Sequence, residues 1–203
     1  MSGPYLRTAS GIDFHFEAPD GAVRIEDIAA SLAKVNRFNG HTRVPYSVAQ
    51  HSIWVSVRIS EVTHCPRLSM AGLLHDAAEA FLGDMPSPVQ WLIFGKGRAR
   101  AFVPSEWDHW HSRIASAIEL QLMPPHYFRQ WPKEAAEVIT QADVMALRTE
   151  WRELMTGPEP ANFAKIPVEP HPDRIFPFDN WQTAQEAFLI RFHDLMQLIK
   201  SEA

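Results

Sequence analysis

The 203-residue chain contains one cysteine, Cys65, which excludes an intramolecular disulfide and any zinc motif built on paired thiolates. It has no apolar run near the roughly 20 residues that cross a bilayer. Its first residues, Met1-Ser2-Gly3-Pro4-Tyr5-Leu6-Arg7, lack the apolar core of a signal peptide. A soluble, cytoplasmic protein with no membrane partner is the expectation. Basic charge is also in short supply: 19 Lys and Arg against 24 Asp and Glu leave a formal charge of −5. That balance argues against gripping nucleic acid, which takes a basic patch or stripe. Small phosphate ligands stay open, because one metal ion and a few arginines make the field they need locally. Repeats, low-complexity tails and a clear β alternation are missing too.

What is present suits one globular domain, residues 1–203, with 46% hydrophobic and 21% charged residues. Residues 1–22 form an irregular or extended lead-in. Ile25, Ile28, Leu32 and Val35 mark the apolar stripe of a short helix. After Pro45, the Ser47-Val48-Ala49-Gln50 run has capping-box spacing and opens a helix to about Ser60. A helix over Arg67–Leu82, apolar on nearly all sides, is the central buried one, and Gly83 stops it. A segment at Val89–Phe94 follows the Asp84–Pro88 turn, and helices follow from Pro104 to Leu122, Lys133 to Met155 and Trp181 to Ile199. Lys96-Gly97-Arg98 reads as an exposed loop, and 157–178 as a proline-rich ordered arm. The architecture expected is all-α, six or seven helices, with a core at about 25–155 and the arm and last helix at 157–203.

The run Gly72-Leu73-Leu74-His75-Asp76-Ala77-Ala78-Glu79 sets a histidine and an aspartate side by side among apolar residues. Burying such a pair is costly unless something compensates, and a metal ion is the usual compensator. His51 and Asp143, on two other helices, complete a candidate set of four ligands, His51, His75, Asp76 and Asp143. Mixed nitrogen and oxygen donors suit one divalent ion of Mn, Co, Fe or Zn better than Ca. On the residues alone, a metal site and an ordinary surface or core role for His51 both remain open. His109 and His111 lie two apart on a helix, face different ways and read as structural.

The pattern His51…His75-Asp76…Asp143 resembles the HD-domain phosphohydrolase superfamily. Tyr46-Ser47-Val48-Ala49-Gln50-His51-Ser52 and His75-Asp76-Ala77-Ala78-Glu79-Ala80-Phe81-Leu82-Gly83-Asp84-Met85-Pro86-Ser87-Pro88 look like the two histidine segments of its bacterial 5'-deoxynucleotidases. The similarity covers about residues 30–155. It implies a helical bundle in which His51, His75, Asp76 and Asp143 hold the ion. Glu79 would be the acid/base group, four residues from His75 on one helix face, and Asp84 would position water or sugar. Arg37 would grip phosphate, Phe38 would stand against sugar or base, and Ser87 would lie near the nucleotide. Phe38 stands where the deoxynucleotidases have Trp, and the Arg37–Thr42 segment looks more like phage-type enzymes acting on deoxynucleoside triphosphates. There His41 would touch a longer phosphate chain.

The implied activity is hydrolysis of small nucleotides, 5'-(deoxy)nucleoside monophosphates first. The alternatives are a deoxynucleoside triphosphate triphosphohydrolase, an enzyme for another phosphoester, and a non-catalytic metal- or nucleotide-binding regulator. Partners expected are a small nucleotide and no nucleic acid. A homodimer through Phe188 and Phe192, taken as exposed on the last helix, is the remaining expectation.

Overall fold

The computed structural model describes residues 3–19, 21–94, 106–124, 127 and 134–202. Among these, eight helical segments follow a short hairpin: β1 (Tyr5–Arg7), β2 (Asp13–His15), α1 (Ile25–Leu32), α2 (Val48–Thr63), α3 (Pro66–Leu74), α4 (Glu79–Leu82), α5 (Ser87–Phe94), α6 (Glu106–Leu122), α7 (Ala135–Leu154) and α8 (Trp181–Ser201). Seven of the eight run eight residues or longer, as an all-α reading requires. The sequence-predicted loop at Lys96–Arg98 and the starts expected at Pro104 and Lys133 lie outside the described residues.

α2 is the hub. It packs on α3, α7 and α8, while α1 packs on α4 and α8. Its start follows local chemistry: the Ser47 side chain accepts from the Gln50 backbone, and the Gln50 side chain returns the favour at Ser47. α3 approaches α2 closely at Gly72, where a Cβ would fall 2.4 Å from Ile59 Cδ1. The main core gathers Phe14, Ile28, Leu32, Met70, Leu73, Ile114, Phe188 and Ile199, with Phe14 stacked on Phe81 at 3.9 Å between centroids.

Three expectations need correction. The lead-in is an antiparallel hairpin, held to α1 by Asp27, which accepts from the Ser10 backbone and hydroxyl, both at 2.7 Å. The Arg67–Leu82 helix is broken: α3 ends at Leu74, and backbone bonds from Ala77 to Leu74 and Glu79 to Asp76 tighten the chain to a three-residue step before α4. Glu79 therefore does not lie four residues along one regular helix from His75. Phe188 and Phe192 are buried rather than an exposed interface. With Leu195 and Ile199 they form the stripe by which α8 seals the core.

The arm is largely irregular, with a 3₁₀ turn at Phe163–Lys165. α7 holds it: Arg148 donates to Val168 O at 2.7 Å, and Arg152 donates to His171 O and Asp173 O at 2.7 and 2.9 Å. Loss of the α2 cap gives a direct test of this account. Ser47→Ala should cost about 1 kcal/mol, read in thermal unfolding as a midpoint lower by about 2–4 °C. An unchanged midpoint would contradict the cap's role.

Candidate metal centre

Three chain segments deliver the four expected ligands. His51 lies in the first turn of α2 and is fully buried; His75 and Asp76 occupy the tightened step after α3; Asp143 projects from α7. His51 Nε2 lies 3.3 Å from His75 Nε2, 3.5 Å from Asp76 Oδ2 and 3.2 Å from Asp143 Oδ1. His75 Nε2 lies 3.2 Å from Asp76 Oδ2 and 3.8 Å from Asp143 Oδ1. Donors about 2.0–2.2 Å from one first-row ion sit about 3.0–3.5 Å apart in neighbouring positions. His51, His75 and Asp76 together form a group able to hold an ion. Asp143 Oδ1 approaches both rings from α7 but stands outside that group of three.

The hydrogen bonds make that fit chemical as well as geometric. His75 Nδ1 donates to Gly72 O at 2.8 Å, and His51 Nδ1 meets Glu150 Oε1 at 2.6 Å. With both Nδ1 protons committed outward, each Nε2 turns a lone pair inward, the arrangement of metal-ligating histidines. Two lone-pair nitrogens and two carboxylate oxygens then face one another with no donor among them. Only a cation or an added proton relieves that.

The electrostatics respond accordingly. Burial opposes charge on His75, yet Asp76 and Asp143 outweigh it and raise the imidazole well above its ordinary value. Burial and Arg37 oppose protonation of His51, and Glu150 and Asp143 overcome them. Asp76 is held well below the usual carboxylate range because His75, His51 and Arg37 outweigh its burial; the two histidines do the same for Asp143. Asp76, Asp143 and Glu150 set three carboxylates against the single guanidinium of Arg37, a deficit that a divalent ion balances.

Around the four ligands lie Arg37, Glu79 and Asp84. Arg37 directs Nη2 to Glu150 at 3.2 Å and Nη1 toward Asp76 at 3.8 Å. Glu79 has its carboxyl pushed up to about 9, first by burial and then by Asp76 and Asp84, and its buried Oε2 has no hydrogen-bond partner among the described residues. Asp84 is raised by burial, with Arg37 opposing and Asp76 adding to the rise. Phe38 has φ +54°, carries the Arg37 guanidinium 5.5 Å from its ring centroid and meets Trp151 edge-on at 6.0 Å. His41 and Ser87 are exposed, and neither joins the cluster among the described contacts. His109 packs on Trp110 and takes no part.

The residue that sequence reasoning missed is Glu150, fully buried and bonded to both His51 and Arg37. Its signal was present: it stands seven residues, two helical turns, after Asp143 and so shares its face of α7.

The fold and centre thus define a mostly helical protein with a partly buried histidine–carboxylate cluster, of which His51, His75 and Asp76 could hold a metal ion. No protein-family model matches the chain. It is 36% identical over 154 residues to the Rhodobacter capsulatus "Uncharacterized protein RCAP_rcc00048", covering 74% of this chain and 71% of the relative. It is 27% identical over 209 residues to the Escherichia coli "Uncharacterized protein YfdR", covering 97% and 98%. The chain belongs to the same family as the Rhodobacter protein.

Removing one ligand should empty the centre. Asp76→Ala is expected to abolish binding of Mn²⁺ in calorimetric titration of metal-stripped protein while the helical circular dichroism persists. Wild-type affinity in that variant would sink the ligand assignment.

Proposed function

We propose that the protein is a divalent-metal-dependent phosphohydrolase of the HD-domain kind, acting on small nucleotides, with 5'-(deoxy)nucleoside monophosphates as the first substrate class. The observation that carries this reading is the convergence of His51, His75 and Asp76, with Asp143 beside the two rings, next to one guanidinium, Arg37, and one carboxyl with a buried oxygen, Glu79. A phosphate monoester needs those three things: a dianion must be held, an attacking water activated, and a departing oxygen given a proton.

When bound by His51, His75, Asp76 and Asp143, the ion supplies Lewis acidity toward a phosphoryl oxygen and a more acidic water. The chain's own residues do the rest. Asp76 and Asp143 stay anionic and leave the cluster's negative charge in place. Arg37 remains cationic and turns Nη1 toward the centre, where it meets phosphate oxygens and offsets charge as the P–O bond breaks. Glu79, its carboxyl raised to about 9, gives its proton to the nucleoside oxygen as that oxygen leaves and takes one back from the water that has become part of the released phosphate. Asp84, half-buried beside this group, orients water or a sugar hydroxyl. Phe38 supplies an apolar wall next to Arg37.

Product analysis tests the reading directly. Metal-stripped protein given Mn²⁺ or Co²⁺ and a panel of nucleoside mono- and triphosphates should release inorganic phosphate and nucleoside from monophosphates. Triphosphate plus nucleoside would overturn the monophosphate assignment within the same chemistry, and no product from any member would overturn the hydrolase reading. Glu79→Gln should lower kcat about 10²–10⁴-fold with Mn²⁺ affinity kept. Wild-type turnover in that variant would exclude Glu79 as the acid.

A further inference from the structure

Glu150 is fully buried and lies one residue from Trp151 on the last turns of α7. Its two oxygens face different partners. Oε1 takes the Nδ1 proton of His51 at 2.6 Å, and Oε2 takes Arg37 Nη2 at 3.2 Å and Nε at 3.4 Å. Two of the guanidinium's nitrogens are thereby committed to Glu150, which leaves Nη1 as the one turned to Asp76. Arg37 is fixed from its backbone side as well, since its N–H donates to Tyr46 O at 2.9 Å. One carboxylate therefore sets which nitrogen of His51 is free for an ion and which edge of Arg37 is free for an anion.

From this geometry we propose that Glu150 is a positioning residue that couples ion affinity to phosphate affinity without touching ion or phosphate. The proposal rests on the phosphohydrolase reading for its phosphate half only. Its ion half needs no turnover.

A carboxylate behind a ligating histidine does two things: it holds the tautomer and raises the basicity of the ligating nitrogen. Loss of such a partner costs about 10–100-fold in metal affinity. The second effect comes through Arg37. Without its carboxylate the guanidinium loses the bonds that set its angle, and the freed side chain spreads over several rotamers.

A merely structural role predicts something different. Replacing a buried ion pair by apolar groups of similar volume is often neutral or stabilising. Arg37→Met/Glu150→Met is therefore expected to remain folded, yet hold Mn²⁺ about tenfold or more weakly than wild type. Arg37→Met alone leaves Glu150 on His51 and removes a nearby cation, so Mn²⁺ should bind at least as tightly as in wild type. Glu150→Gln, close in shape, should weaken Mn²⁺ by about tenfold or more. At saturating Mn²⁺ it should also raise the inhibition constant of inorganic phosphate several-fold, with kcat falling less than KM rises.

The decisive measurement is calorimetric titration of Mn²⁺ alone into metal-stripped, full-length wild type and these three variants, with thermal unfolding alongside. Wild-type Mn²⁺ affinity in Glu150→Gln overturns the proposal, and so does wild-type affinity in the double variant. Glu150→Gln that loses Mn²⁺ while phosphate inhibition stays unchanged overturns the coupling. A wild type that binds Mn²⁺ but hydrolyses no nucleotide removes the functional reading and leaves the ion half standing. A wild type that binds no Mn²⁺ removes both.

Discussion

The structure depends on one buried carboxylate shared between a histidine and an arginine. Taking Glu150 out of water costs several kcal/mol unless its oxygens are fully engaged. His51 from α2 and Arg37 from the turn after α1 engage them. Three parts of the chain, distant in sequence, must meet within hydrogen-bond distance for that cost to be met. Once they do, α2 and α7 have one relative register, and Asp143, two turns earlier on α7, is carried to the same point as His51. The histidine–aspartate step after α3 then closes the cluster from the third side.

How far the sequence revealed this depends on how local the controlling physics is. The α2 start was legible at Ser47 and Gln50 because a capping box is chemistry between residues three apart. The stripe at Ile25, Ile28 and Leu32 was legible because helical spacing encodes a buried face. The break after Leu74 was not, since Ala77-Ala78 is as good a helix former as any dipeptide; packing of the centre, rather than propensity, selects the three-residue step. Phe188 and Phe192 were misjudged as surface, though Leu195 and Ile199 extend the same stripe; what covers them is α1 and α3, far away in the chain. The hairpin escaped because its strands are three residues each and too short to alternate.

In the centre itself, the four expected ligands were legible as residue types; the geometry gathers His51, His75 and Asp76 into one group and brings Asp143 up to the two rings. Arg37, Glu79 and Asp84 also stand beside them, whereas His41 and Ser87 stay at the surface. Glu150 was missed because its spacing from Asp143 marks a shared face of α7 and not the partners, His51 and Arg37, that reach it from elsewhere in the chain. Its role exists only in three dimensions. The arm beyond α7 has a similar standing: its sequence announces only proline, while its hold on Arg148 and Arg152 makes it an outer splint for the helix that bears Asp143 and Glu150.

Phe38, Asn39 and Gly40 run consecutively through the left-handed region of backbone space, at φ +54°, +51° and +76°. The excursion they belong to is closed at its base by the Asn36–Ser47 bridge and the Arg37-to-Tyr46 bond, with Arg43 tied to Leu154 O. Such a loop is shaped by its own closure and by its ties to α7, Arg43 to Leu154 and Phe38 to Trp151. On the proposed function, residues 38–45 are the stretch in which substrate preference can diversify while the closure at Asn36, Arg37, Tyr46 and Ser47 keeps the guanidinium at the centre.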